Sequence, residues 1–223
     1  MASPSIKVPE PTLSRLSLYI RCLRQLAKDG VKTTSSAQME AHCGIVPAQI
    51  RKDLSHFGEF GKPGTGYNVQ HLLGRLTEIM QLDRERRIAI VGAGNLGAAL
   101  AGYAGFAHSP FRIVGIFDNN LNKIGRMLWS FEILDIQRLA DINQHMHADL
   151  GIIAVPAEAA QEVADRLVEA GIRAILNFAP ALIDAPAGAA VRNVDLTREI
   201  EVLCYHVPRV SAPQQNAPED SAQ

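Results

Sequence analysis

Cysteine is scarce in this chain, and what there is does not pair. Cys22, Cys43 and Cys204 are odd in number, far apart in the sequence, and form no CxxC. They read as reduced thiols of a cytosolic protein, which excludes a disulfide framework and speaks against a zinc site. No apolar run approaches the roughly 18 residues that a membrane span requires. The opening residues MASPSIKVPEP lack the basic-then-apolar order of a secretory leader. An excess of one charge is also missing, since the net charge is −1. What is present, 223 residues with 47% hydrophobic and 20% charged, is ordinary for a globular protein and enough for one large domain or two small ones.

The near-zero net charge conceals an asymmetry. Residues 1–87 carry 13 Lys and Arg against 8 Asp and Glu, an excess of +5, which leaves −6 for the remainder. A basic first third joined to an acidic remainder points to a nucleic-acid-binding module attached to something else, although such an excess also fits a plain solvated face.

The most informative stretch is RRIAIVGAGNLGAAL, beginning at Arg87. A β-branched run, Ile88 to Val91, enters Gly92-Ala93-Gly94-Asn95-Leu96-Gly97 and then an Ala- and Leu-rich segment suited to a helix. This is the strand, glycine turn and helix of a dinucleotide-binding unit. Gly92 permits the tight turn, Gly94 lets the backbone approach a pyrophosphate, and Gly97 lets helix and strand pack closely. The anion then lies on the free N–H groups of the helix start. The next apolar run, FRIVGIF, ends in Asp118, 21 residues beyond Gly97. An acid there accepts the ribose 2′-hydroxyl, so the expected cofactor is NAD, as NADH and NAD⁺, rather than its 2′-phosphate. A glycine turn of an α/β sheet with no nucleotide is the bland alternative.

In the first third, Leu13, Leu16, Ile20, Leu23 and Leu26 recur at helical spacing, with Leu18 beside them, in a helix expected to start with Thr12 as N-cap and to stop at Asp29-Gly30. Ser35 and Gln38 form a capping box for a second helix, which ends at Cys43-Gly44. Pro47 opens a third, expected over Ala48–Phe57, with Val46 at the N-cap where Ser, Asp or Asn would do better by about 1 kcal/mol. Helix, glycine turn and helix give the helix-turn-helix outline. Ile50, Leu54 and Phe57 face the core, leaving Gln49, Arg51, Lys52, Ser55 and His56 outside as candidate operator contacts. The glycine-rich stretch from Gly58 to Tyr67 fits a β-hairpin wing that lays Lys62 and Gly64 against a phosphate backbone. Asn68 caps a fourth amphipathic helix, and Gln81–Arg87 is the linker. A small helical dimerisation domain is the competing reading of this spacing.

Beyond Asp118 the α/β alternation continues. Phe131–Leu134, Leu150–Val155, Arg173–Leu176 and Val191–Val194 are expected strands, with Ile136–Met146 and Ala157–Ala170 as helices between them. Val155, Pro156, Asn177 and Phe178 fall at strand C-terminal ends, where ligands of open parallel sheets lie, and so are placed on the nicotinamide side. Lys123 is placed with the cofactor-binding residues. Leu196–Tyr205 is a short amphipathic helix after Asp195, and the Pro-, Gln- and Ser-rich tail 211–223 is expected to be disordered.

Two other classes share the glycine turn. A dehydrogenase needs a proton donor or acceptor beside the nicotinamide, yet His108, His145 and His147 accompany no Asp or Arg in a motif. The roughly 45 residues after Asn177 are also too few for a substrate domain. A CoA-binding Rossmann domain shares the glycine turn, but the basic first domain fits neither class, so no enzyme is expected.

The segments PAQIRKDLSHFGEFGKPGTGYNV, IVGAGNLGAALAGY, VPAEAA, NFAP and NVDL together resemble the Rex redox-sensing transcriptional repressors of bacteria, over Leu18 to Tyr205. The resemblance implies an α/β protein with an N-terminal winged-helix (helix-turn-helix) domain over 1–86 and a Rossmann doubly wound parallel sheet over 87–194. It further implies a terminal helix, within 195–210, exchanged in a homodimer. It implies binding to operator double-stranded DNA when free or NAD⁺-bound and release by NADH, in the cytoplasm, with no membrane or metal partner. Arg21, Tyr103 and Asp195 correspond to the family's switch contact near the nicotinamide. An apolar pocket of Phe106, Val155 and Phe178 would then favour the neutral reduced ring. Asn119-Asn120, where the family often has a second acid, and Val46 at the recognition helix N-cap are departures.

Overall fold

The computed structural model describes residues 8–58, 60–62, 65–106 and 109–207. Gly64, His108 and the tail 211–223 lie outside the described residues, as does the side chain of Lys62. The chain divides into two compact units, Met1–Arg86 with Ala104–Arg112, and Arg87–Tyr103 with Ile113–Gln223.

The first unit holds α1 (Glu10–Lys28), β1 (Thr33–Thr34), α2 (Ser36–Cys43), α3 (Pro47–Ser55), β2 (Gly61–Lys62), β3 (Gly66–Asn68) and α4 (Val69–Ile79). Helix α1 starts earlier than expected: Pro9 is its N-cap, and Thr12 lies inside the first turns with its hydroxyl turned inward to Asp53 at 3.2 Å. The Ser35–Gln38 capping box forms as expected, with Gly44 closing α2 in the left-handed region at φ 68°. Asn68 caps α4 by accepting the His71 N–H at 2.9 Å. Strands β2 and β3 make the expected antiparallel hairpin, and β1 adds a third strand, in the order β1-β3-β2. Leu16, Tyr19, Ile20 and Leu23 of α1, Ile50 and Leu54 of α3, and Leu72 and Leu76 of α4 form the core, each no more than 2% exposed. Leu18 is on the solvent side.

The second unit is a seven-stranded sheet in the order β10-β9-β8-β4-β5-β7-β6. Its strands are β4 (Arg86–Val91), β5 (Phe111–Asp118), β6 (Met127–Leu128), β7 (Phe131–Asp135), β8 (Leu150–Ile153), β9 (Ala174–Asn177) and β10 (Ala190–Asn193). Helices α5 (Asn95–Ala101), α6 (Leu139–Met146) and α7 (Ala160–Glu169) cross between strands, and α8 (Leu196–Cys204) follows the sheet. Strand β8 pairs parallel with both β4 and β9, so the chain walks outward from β4 through β5 to β7 and then returns to the other side of β4. That reversal beside β4 is the topological switch point of a doubly wound sheet, where the C-terminal strand ends part and leave a crevice. At the edge of this sheet β6 runs antiparallel to β7. Phe117, Ile153, Ala160, Leu167 and Ile172 fill the space between sheet and helices.

Candidate nucleotide pocket and nucleic-acid interface

The crevice is a cavity of about 530 Å³ lined on one side by Val91, Gly92 and Gly94, and on the others by residues at or after the ends of β5, β7 and β8. The three turn glycines are there for different reasons. Gly92 has φ +108°, and a Cβ on it would run into the Ala154 carbonyl oxygen. A Cβ on Gly97 would strike the Gly92 carbonyl oxygen. Gly94, by contrast, has φ −87° and a Cβ there meets no atom of the protein within 4 Å. Neither backbone conformation nor packing demands glycine at that position. The space it keeps open faces the first N–H groups of α5, which have no partner within the helix. The residues therefore fit a dinucleotide whose pyrophosphate approaches the backbone at Gly94.

Asp118 ends β5 in this cavity, 7% exposed. One carboxylate oxygen accepts the Asn120 N–H at 2.8 Å; the other accepts the Ala93 N–H at 2.8 Å and the Lys123 ammonium at 3.0 Å. Burial alone would raise its pKa, but the Asn120 N–H, Lys123 and the Ala93 N–H together hold the carboxyl below its ordinary value. It is an ionised acceptor, tied to the glycine turn, at the place where a ribose hydroxyl would donate. Asp118→Ala should weaken NADH binding, and it should raise the NADPH-to-NADH affinity ratio about tenfold by removing repulsion of the 2′-phosphate. Calorimetry with both dinucleotides checks this, and an unchanged ratio would refute the assignment.

Of the residues expected around the cofactor, Gly92, Gly94, Asp118, Lys123, Val155 and Pro156 line the cavity. Ala93 contributes its N–H to Asp118, and Asn95 and Leu96 open α5 on its exposed side. Asn177 ends β9 as expected, but its side chain is turned inward and does not line the cavity. It is fully buried: its amide donates to the carbonyls of Ala179 and Ala181 and to Asn193, and its oxygen accepts the Ala179 N–H. Asn177 closes the strand end, with its amide hydrogens spent within the protein. Phe178 is half-buried beside it. Phe106 sets its ring edge-on to Phe111 at 6.3 Å and groups with the first unit. Asn119 and Asn120, noted as departures, also line the cavity, and so do Gln137, Glu158, Glu162 and Arg166, which the sequence reading did not name. Glu158, Glu162 and Arg166 recur every fourth residue after β8, a spacing that puts them on one side of a helix.

In the first unit, Arg51, Lys52 and Ser55 are exposed on α3, as expected, and Ala48 joins them. Arg51 gives one guanidinium N–H, on Nη1, to the Ser36 hydroxyl at 3.0 Å, which leaves further donors of the group. Ser55 donates to the Lys52 carbonyl. His56 is half-buried at the C-cap of α3, edge-on to Phe57. Gln49 departs from its expected role, since its amide donates to Asp53 at 2.8 Å instead of projecting outward. Val46 caps nothing by its side chain.

Arg21 is exposed on α1, and with Cys22 and Cys43 it lines a small cavity of about 250 Å³. Burial pushes the Cys22 thiol up to about 11, so it is a poor nucleophile at neutral pH. Tyr103 is exposed after α5. Asp195 caps α8, accepting the N–H groups of Thr197 and Arg198 at 3.0 and 3.1 Å. Among the described residues no group of three or more His, Cys, Asp and Glu could hold a metal ion, and no helix is long and apolar enough to cross a membrane.

A helix-turn-helix unit with a β-hairpin and, on the same chain, a doubly wound sheet with a glycine-turn crevice at its switch point define a DNA-binding protein that carries its own nucleotide receptor. A family model described as "Putative DNA-binding protein N-terminus" matches residues 7–55, and one described as "CoA binding domain" matches residues 83–181. The redox-sensing transcriptional repressor Rex of Carboxydothermus hydrogenoformans is 48% identical, over 91% of this chain and 98% of that one. Rex 1 of Thermotoga maritima is 43% identical over 91% and 97%. Among solved structures, RSP in complex with NAD⁺ and operator DNA is 40% identical with a TM-score of 0.83, covering 89% of this chain and 92% of that one. RSP in complex with NADH is 38% identical with a TM-score of 0.78, covering 90% and 94%. The chain belongs to the Rex family of redox-sensing transcriptional repressors. The dehydrogenase reading falls with this, because the relatives named are repressors and not enzymes.

Proposed function

We propose that this protein is a homodimeric repressor that holds operator DNA when free or NAD⁺-bound and lets go when NADH binds. The observation that carries the reading is Gly94: its open Cβ space lies beside an ionised Asp118, in a chain whose other unit presents Arg51 and Lys52 outward. A ligand shifts an equilibrium only by binding one state better than the other. The reduced nicotinamide is neutral and the oxidised ring cationic, so apolar surroundings such as Val155 and Phe178 favour NADH by the cost of desolvating the cation. CoA fits less well, because its ribose phosphate would meet the Asp118 carboxylate. The repressor acts in the cytoplasm, where operators and the NADH pool meet.

Arg21, Tyr103 and Asp195 are proposed to join the nicotinamide state to the DNA-binding unit. Lys62 and Gly64 of the hairpin are assigned to the phosphate backbone. A gel shift on operator, titrated with NADH with and without excess NAD⁺, tests the whole. NADH should release the DNA, NAD⁺ should compete with it, and CoA should do neither. Arg21→Ala should shrink the effect of NADH on operator affinity by about 5–150-fold, the range of a typical coupling energy. Operator binding indifferent to NADH would overturn the proposal.

A further inference from the structure

Asp53, 1% exposed, stands on α3 between the exposed Lys52 and the buried Leu54. A bare carboxylate so placed would be costly unless every lone pair were met. All are met, mostly from α1. One oxygen accepts the Thr12 hydroxyl at 3.2 Å, Arg15 Nη2 at 2.8 Å and Gln49 Nε2 at 2.8 Å. The other accepts Arg15 Nε at 2.6 Å and the Tyr19 hydroxyl at 2.8 Å. Arg15 also bridges to the Thr12 hydroxyl. Burial works against the charge, but Arg15, Tyr19 and Gln49 outweigh it and hold the carboxyl well below the usual range.

The placement of this cluster matters because α1 packs mainly on α2 and α4, while α3 packs mainly on α2. Asp53 thus gives α3 a polar link to α1, through Thr12, Arg15 and Tyr19. Gln49 and Asp53, four residues apart, share one side of α3, and Arg51, two residues from each, lies on the opposite side.

We propose that Asp53 is the positioning residue of the DNA-reading helix. It ties α3 to α1 so that Arg51, Lys52 and Ser55 are held at one angle, and Gln49 belongs to this tie and not to base reading. The inference rests on the DNA-binding reading above and names how its reading face is set. Because Tyr19 and Arg21 share α1, a displacement of that helix is delivered to α3 through Asp53. A hydrogen-bonded, charged pin transmits a shift that apolar contacts would let slide, since its donors have fixed directions.

The test uses the full-length protein and a duplex that the wild type selects from a random pool, against a scrambled duplex of equal length at the same salt. The quantity read is the ratio of the two affinities, in which any loss of folded protein cancels. Asp53→Asn should lower the ratio about tenfold or more, equivalent to about 1.4 kcal/mol, while scrambled-duplex binding per folded molecule and its salt slope stay as they were. Tyr19→Phe, which removes one donor and keeps the ring, should lower it about threefold, and it decides the matter if Asp53→Asn does not fold. Gln49→Ala should lower the ratio evenly across the site; a relaxed preference at one base pair would show that Gln49 reads a base and overturn its assignment to the tie. NADH binding, followed by fluorescence of the single tryptophan, Trp129, should be unchanged in all three. Wild-type ratios in both Asp53→Asn and Tyr19→Phe would overturn the proposal while leaving the DNA-binding reading intact. A wild type that selects no duplex would overturn both.

Discussion

A Gly94→Val protein should fold, hold operator like the wild type, and remain on it at NADH concentrations that clear the wild type. The backbone at Gly94, φ −87° and ψ −169°, is open to any L-residue, and a Cβ there meets nothing within 4 Å. The substitution therefore costs the fold little and the ligand much. A pyrophosphate kept from the helix start loses hydrogen bonds worth about 1.5–3 kcal/mol each. Losing two of them is a fall in affinity of about 100-fold or more. The neighbouring glycines supply the contrast. Gly97→Ala forces a methyl into the Gly92 carbonyl oxygen, so it should lower stability, by about 1–3 kcal/mol as for an overpacked core, whether or not nucleotide is added. Calorimetry with NADH and thermal melting on both variants separate the two effects. A Gly94→Val protein that bound NADH with wild-type affinity would remove the glycine turn from the pocket.

The difference between these glycines was legible in the sequence only as a motif, and the same holds across the chain. Local signals came through because they are carried by a few adjacent residues: the Ser35–Gln38 box, Asn68 as a cap, Asp195 before α8, and the β-branched runs of β4 and β5. The two-residue strands β1 and β6 have no room for a period and left no trace. The larger misses were long-range. Thr12 has the composition of an N-cap, yet its hydroxyl is spent on Asp53, 41 residues away, and Pro9 takes the cap. Asp53 looks from its neighbours like one more surface charge; only the arrival of Arg15 and Tyr19 from α1 makes burial tolerable. Asn177 sits at the right strand end for a ligand contact, but the bends at Ala179 and Ala181 bring carbonyls back onto its amide. Periodicity assigns a residue to a face. It does not say which partner that face will meet.

Disrupting the exposed side of α8 should turn the proposed homodimer into monomers. Leu196, Ile200 and Leu203 recur at helical spacing and continue to Val207, and each is about 60% exposed in the single chain. No residue of α8 is buried. An isolated helix of nine residues with such a face is marginal in water, so α8 needs a surface to lie on. A second copy of the chain offers one by symmetry, and each Leu or Ile covered contributes about 1.5–3 kcal/mol. Substituting Ile200→Asp and Leu203→Asp alters four such side chains per dimer. That removes roughly 6–12 kcal/mol at most, enough to undo most dimers of ordinary affinity. Sedimentation at micromolar concentration should then show a dimer for the wild type and a monomer for the variant. Operator affinity should fall with it, and the salt slope should drop to about half, because one subunit reaches half the phosphates. NADH should still bind each chain, since neither substituted residue lines the crevice between Val91 and Arg166. A double variant that sedimented as a dimer would place the association on another surface and leave α8 with some other occupant.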